Sequence, residues 1–424
     1  MKTLNYFLIP LLFFVGCNRV EPEPEPLRTT LKILSPNPDF TLDSDTATVS
    51  LKITLSKEYP SISVKIANQT AAKSSSDIYS LFLNFAPFSG SRIAIPVDIF
   101  SDETRIAVDT IRFVRFRLIP QANYSMTNPR SNHASLVVGE NIVSFGGVES
   151  YSENATNSLE IFNSVSGLSQ IQTTSLSYSR SGHGMVYNSV TDSLYVFGGG
   201  KKQYAKDGTD DVIPTESINF SNKNGAVPVQ SNPGFYQDFG WYYDNTNLFI
   251  QGGARKTTQT NSYFKIAVSD GFKKELQVDN NLTISEQILI QDPVYSGYLY
   301  FMSSSFDKDG VSNLTGFVQK NSGGLSFEPI QVKGVRNEHT GINLDDGFVL
   351  LCGGYQFNGT TDSVRDDFEL QDLKTGRSYW ISTRLSVGRA SHTMCKIGNN
   401  IYILGGYDQT QSVLKSIEKF IYQF

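Results

Sequence analysis

Four segments of this 424-residue chain share one spacing of two chemically capable side chains: Arg130-Ser-Asn-His133, Arg180-Ser-Gly-His183, Arg336-Asn-Glu-His339 and Arg389-Ala-Ser-His392. They contain all four histidines of the protein. Imidazoles are common ligands of zinc and copper, and guanidinium groups grip carboxylates bidentately, so the set raises two chemistries, metal binding and anion recognition. Metal is the weaker of the two. Ligands of one ion must converge within a few ångströms, whereas these residues are spread over four separate segments, and no Cys, Asp or Glu recurs at a fixed place beside them to complete a site. No metal and no cofactor is therefore expected. His133, His183, His339 and His392 read as structural, bonding backbone near an inner strand. Arg130, Arg180, Arg336 and Arg389 are the candidates for contact with an anionic group, against the alternative that each braces its own surroundings.

The elements that must position these residues form a repeat. Each segment lies a short way before an apolar strand ending in a small pair, in "IVSFGG", "LYVFGG", "LFIQGG", "LYFMSS", "FVLLCGG" and "IYILGG". The pairs are Gly146-Gly147, Gly198-Gly199, Gly252-Gly253, Ser303-Ser304, Gly353-Gly354 and Gly405-Gly406, with first members 52, 54, 51, 50 and 52 residues apart. A period near fifty made of short strands is the pattern of a β-propeller, one four-stranded blade per repeat. The glycine pair, the preceding Arg-x-x-His and the aromatic-flanked strand together resemble the kelch repeat, over roughly residues 125–424. That resemblance implies a six-bladed ring in which the loop entering each inner strand opens on one mouth of a central channel, where arginines can line a ligand-binding face. Glycine is expected where a Cβ would obstruct the backbone. The chain ends one strand past the last pair, so residues 114–126 are the expected source of the strand that closes the last blade.

Ahead of the repeat, residues 27–113 alternate with period two in short runs such as "ATVSLKITL" and "RIAIPVDIF", bounded by turn residues. This predicts an immunoglobulin-like sandwich with the role of a spacer. In "TIRFVRFRL" the alternation slips: Ile111 and Phe113 share one face, Val114, Phe116 and Leu118 the next. A one-residue slip reverses every side chain, which places the junction near Phe113. The expected fold class is all-β, a sandwich followed by a propeller.

The first residues, "MKTLNYFLIPLLFFVGC", carry an apolar run too short to cross a bilayer and read as a signal peptide over 1–16. Phe14-Val15-Gly16-Cys17 resembles the lipobox of bacterial lipoproteins, which implies lipidation at Cys17. The "EPEPEP" that follows suits an extended tether over 17–26. Its acidic residues resemble surface-export signals of Bacteroides-group lipoproteins, which implies the outer membrane of a bacterial envelope, with the chain held to the membrane by its lipid. Net charge is −5 with no basic run, so nucleic acid is not an expected partner. Cys352 and Cys395 sit in apolar strand patterns and are either small buried hydrophobes or a pair.

In blade three, "GFYQDFGWYYDN" offers Trp241 and Tyr242 as a stacking platform for a sugar or a protein surface, with core packing as the other reading. Kelch enzymes of the galactose oxidase kind need histidines outside the repeat positions, and none exists here. The expected role is binding or scaffolding, with a protein or glycan ligand at the propeller face. The alternative is a carbohydrate-active enzyme resembling the kelch-type sialate mutarotases, which would need an acid facing the arginines.

Overall fold

The computed structural model describes residues 28–424 apart from 152, 175, 202–212, 225–226, 229–237 and short stretches between 252 and 360. Cys17, the signal and tether segments and Gly252 therefore lie outside the described residues.

Eight strands precede the repeat: β1 (Thr29–Ser35), β2 (Thr46–Leu55), β3 (Ser63–Ile66), β4 (Gln69–Thr70), β5 (Ala72–Lys73), β6 (Ile78–Asn84), β7 (Arg92–Ser101) and β8 (Thr104–Val114). They form two antiparallel sheets in the orders β1-β2-β6-β5 and β4-β3-β7-β8. The inward residues of both sheets, among them Val49, Leu51, Val64, Ile95, Val97 and Phe113, make one core, as period-two burial requires.

Among the described residues five four-stranded sheets and one five-stranded sheet follow, the blades of the propeller. In blade one the order is Ala134–Val138, Asn141–Phe145, Leu159–Asn163, Ser169–Gln172, each strand antiparallel to the last. Blades two to five repeat it, beginning at Gly184–Asn188, Gly240–Tyr243, Ile288–Gln291 and Thr340–Asn343. Blade six takes three strands from the C-terminus, Thr393–Ile397, Asn400–Leu404 and Ser416–Gln423. Its outer edge is completed by Arg117–Pro120 and Tyr124–Ser125, both antiparallel to Ser416–Gln423. One sheet thus joins the two ends of the repeat, which fastens the ring.

The apolar cores lie between blades. Leu159 and Phe145 of blade one pack with Met185 and Val196 of blade two, and Leu350 and Phe368 of blade five with Ile401 and Phe420 of blade six. Burying both faces of each blade in this way is what makes a lone repeat unable to stand. The slip in "TIRFVRFRL" marks a change of core: Ile111 and Phe113 belong to the sandwich, whereas Val114, Phe116 and Leu118 pack with blades five and six. Polar contacts hold the two bodies together at that point. Thr41 N–H donates to the Trp380 carbonyl at 3.0 Å, Leu42 N–H to the Val114 carbonyl at 2.7 Å, and Arg92 pairs with Asp346 and Asp372.

Candidate functional site

Each arginine of the Arg-x-x-His segments is wholly enclosed in its own blade: Arg130, Arg180 and Arg389 have no exposed surface and Arg336 has 2%. All four donate through Nη1 to the carbonyl of the first glycine of their blade, Gly146, Gly198, Gly353 and Gly405, at 2.9, 2.9, 2.7 and 3.0 Å. All four also meet a carboxylate on the blade's third strand. Arg130 pairs with Glu160, Arg180 with Glu216, Arg336 with Asp367 and Glu369, and Arg389 with Glu418. Those glutamates close the circuit, because Glu160, Glu216, Glu369 and Glu418 accept the backbone N–H of Thr127, Ser177, Lys333 and Ser386, each three residues before the arginine. A buried charge demands this degree of pairing. The expectation that these arginines line the channel mouth is corrected: they brace blades and offer nothing to a ligand.

The histidines fill the next layer toward the axis. His183 rests against Gly146 of blade one, His392 against Gly353 of blade five and His133 against Gly405 of blade six, so each imidazole packs on the glycine of the preceding blade. The second glycine fixes the same junction: Gly147, Gly354 and Gly406 donate N–H to the carbonyls of Arg180, Arg389 and Arg130 at 2.8, 2.9 and 2.8 Å. A Cβ on Gly353, at φ +58°, would stand 2.5 Å from the Arg389 carbonyl oxygen and 2.7 Å from His392 Cε1. The glycine pair is a docking point between neighbouring blades. Burial drives the histidines toward neutrality, holding the His133 and His339 pKa values at about 3 and those of His183 and His392 well below the usual range. His133, His339 and His392 do not bond backbone as expected, for both ring nitrogens of His339 and of His392 lack a hydrogen-bond partner among the described residues, and His133 Nε2 meets the Thr393 hydroxyl at 3.0 Å. Among the described residues no group of His, Cys, Asp and Glu is arranged to hold a metal ion.

The third residue of the segment carries the channel rim. Glu338, Ser391, Asn132, Gly182 and Asp238 all adopt positive φ, from +50° to +60°. The N–H of Ser391 donates to the Glu338 carbonyl, Asn132 to Ser391, Gly182 to Asn132 and Asp238 to Gly182, at 2.8 to 2.9 Å. This backbone collar passes through blades five, six, one, two and three, with the imidazoles and Phe239 beneath it around a cavity of about 170 Å³. Three tyrosines gather beside Glu338. The Tyr407 hydroxyl donates to Glu338 Oε2 at 2.7 Å, and Tyr151 crosses Tyr407 edge-to-face with centroids 5.1 Å apart. The Tyr355 hydroxyl donates to Asp362 Oδ1 at 2.6 Å. Burial and the neighbouring Asp362 and Glu338 carboxylates push the Tyr355 pKa upward, keeping its hydroxyl a donor. Tyr151 and Tyr355 are partly exposed, Tyr407 lies beneath. Sequence reading missed this cluster, whose only signal is an aromatic residue right after the glycine pairs of blades five and six.

Trp241 and Tyr242 do not make an exposed platform. Trp241 packs edge-on to Phe197 of blade two at 5.9 Å and Tyr242 stacks on Phe249 at 6.2 Å, the core reading. Cys352 and Cys395 are free, buried thiols.

Residues 388–424 match the Kelch motif. A solved structure titled "Structure of YjhT", a kelch-type propeller protein, superposes with a TM-score of 0.54 at 14% identity, covering 71% of this chain and 99% of that one. No curated protein sequence matches significantly. Motif, blade order and superposition define an all-β protein carrying a kelch-repeat β-propeller.

Proposed function

We propose that this is an exported, lipid-anchored binding protein of a bacterial outer membrane, in which an immunoglobulin-like spacer presents the propeller mouth to a glycan. The observation that carries the binding role is the cluster of Tyr151, Tyr355 and Tyr407 with Glu338 and Asp362 at the rim of the channel. Aromatic faces beside fixed carboxylates suit sugar rings, which offer apolar C–H faces to stack and hydroxyls to donate. The acidic rim favours a neutral glycan over an anionic one. An enzyme of the mutarotase kind has less support, since the four repeat arginines that would polarise its substrate are spent inside blades. The immunoglobulin-like reading is supported by the strand orders β1-β2-β6-β5 and β4-β3-β7-β8, which match an ABED sheet facing a C′CFG sheet. The anchor rests on Cys17 and its lipobox-like surroundings, and Cys17→Ser is expected to release the protein from membranes on fractionation.

The test of the binding role is a glycan array probed with the purified protein and with Tyr151→Ala/Tyr355→Ala. Neutral glycans that bind the parent and are lost by the variant support the reading. Retention of the same glycans by the variant, at an unchanged melting temperature, refutes it.

A further inference from the structure

A second cavity, of about 610 Å³, lies away from the channel, where the free edges of β1 and β8 face the hairpin between the third and fourth strands of blade five. Among the described residues β1 pairs along its length only with β2 and β8 only with β7, Leu42 touching β8 just at its end through the Val114 carbonyl, so among these residues the sandwich has no further strand along this side. Its core shows through the gap: Leu31, Ile33, Ile111 and Phe113 line the cleft. The opposite wall is polar, with Asp372, Thr375, Arg377 and Tyr379. Size, apolar floor and position between two bodies are those of a small-molecule site.

Charge selects the class of ligand. Of the three lining arginines, Arg92 is consumed, donating through Nε to Asp372 at 2.9 Å and through Nη1 to Asp346 at 2.8 Å while lying 4.1 Å over the Phe348 ring. Arg112 and Arg377 are exposed and have no ion pair among the described residues: Arg112 reaches the Thr110 carbonyl at 3.5 Å, and Arg377 shares a hydrogen bond with the Tyr379 hydroxyl. The one other lining carboxylate, on Asp109, accepts the Thr110 N–H at 2.7 Å. We propose that this cleft binds a small amphipathic anion, its hydrocarbon body on Leu31, Ile33, Ile111 and Phe113 and its carboxylate on the guanidinium groups of Arg112 and Arg377. Two cations with no carboxylate partner among the described residues, beside an apolar slot, favour such a ligand over a neutral apolar one, because charge-assisted hydrogen bonds are the strong ones.

Decanoate and its neutral counterpart decanol, titrated calorimetrically into the full-length protein, test the site. Decanoate is expected to bind saturably at one site, at least about tenfold less tightly to Arg112→Gln/Arg377→Gln, the loss expected for a charge-assisted hydrogen bond. Thr375→Trp, which fills the rim from an exposed position, should remove decanoate binding, while weak decanol binding should be indifferent to the arginine pair. Arg112 and Arg377 are exposed, so the melting temperature of the arginine variant should not move, whereas Thr375→Trp gives up the hydroxyl that donates to Asp372 at 2.8 Å and should lower it slightly without unfolding the protein. Absence of saturable decanoate binding, or binding untouched by both variants, would overturn the proposal.

Discussion

The interior and the rim of the propeller are built from the same four-residue segments, yet they use them in opposite ways. Positions one and four, Arg and His, recur in blades one, two, five and six and turn into the protein, where the arginine clamps its own blade and the histidine rests on the one before. Position three carries Asn132, Gly182, Glu338 and Ser391, which share a backbone conformation and nothing else. Repetition of side-chain type inside one chain therefore marks the joints of the ring, and variation at a fixed backbone position marks the surface free to meet a ligand. Chemically capable residues that repeat in step with the fold are better read as joinery.

The widest expected contrast comes from emptying a joint. Arg389→Ala leaves Glu418 buried without its cation, and such a loss costs about 3–5 kcal/mol. A large fall in the urea midpoint should follow, with neutral-glycan binding retained by the fraction still folded. Replacing both partners, Arg389→Met with Glu418→Leu, should recover much of the loss, since an apolar pair of similar volume leaves no orphan charge. A midpoint unchanged in the single variant would break the assignment of the arginines to bracing.

Next in size is the glycine latch. Gly353→Ala combines a left-handed backbone with overlap on the Arg389 carbonyl and is expected to cost about 2–3 kcal/mol. Gly398, at φ +56°, has nothing within 4 Å of an added Cβ, so Gly398→Ala isolates the backbone part, about 1 kcal/mol. Equal losses for the two variants would show that blade contact contributes nothing at Gly353.

The histidine layer sets a pH dependence. His133 and His339 have pKa values near 3 when folded and about 6.5 when unfolded, so between those limits the unfolded chain binds the extra protons. Stability is complete above about pH 6.5 and falls as pH drops toward 3, by at most about 1.4 kcal/mol per pH unit for each histidine. Blade three supplies the control, because Phe239 stands where blades one, two, five and six have histidine and stacks on Phe197. His183→Phe should flatten the slope of stability against pH over this window, read from urea midpoints, and an unaltered slope would remove His183 from the titrating set.

How much of this was legible in the sequence follows from the same contrast. The period and the glycine pairs show in one chain because backbone geometry forces them at nearly constant spacing. The arginine partners did not show. Glu160, Glu216, Glu369 and Glu418 follow their arginines by 30, 36, 33 and 29 residues, since the loop between second and third strands varies in length, and a fixed-offset search passes over them. The histidine contacts cross from one blade to the next and, for His133 and Gly405, across the closure of the ring, 272 residues apart. The mouth tyrosines were hidden for a further reason: Tyr355 and Tyr407 follow glycine pairs directly, but Tyr151 comes from deeper in its loop, and only the closed ring brings it onto Tyr407.

The smallest expected effect bears on the rim alone. Tyr355→Phe removes the hydroxyl that donates to Asp362 and keeps the ring, so a sugar that stacks there should lose about 1 kcal/mol or less, a few-fold in affinity. Tyr355→Ala removes the face as well and should cost more, about the 0.5–1.5 kcal/mol of an aromatic contact in addition. Neither should move the urea midpoint as Arg389→Ala does, because Tyr355 is partly exposed and its partner Asp362 is exposed. If both tyrosine variants lower stability and leave binding alone, the rim is joinery too, and the division between repeated interior and variable mouth fails at the residues where it was drawn.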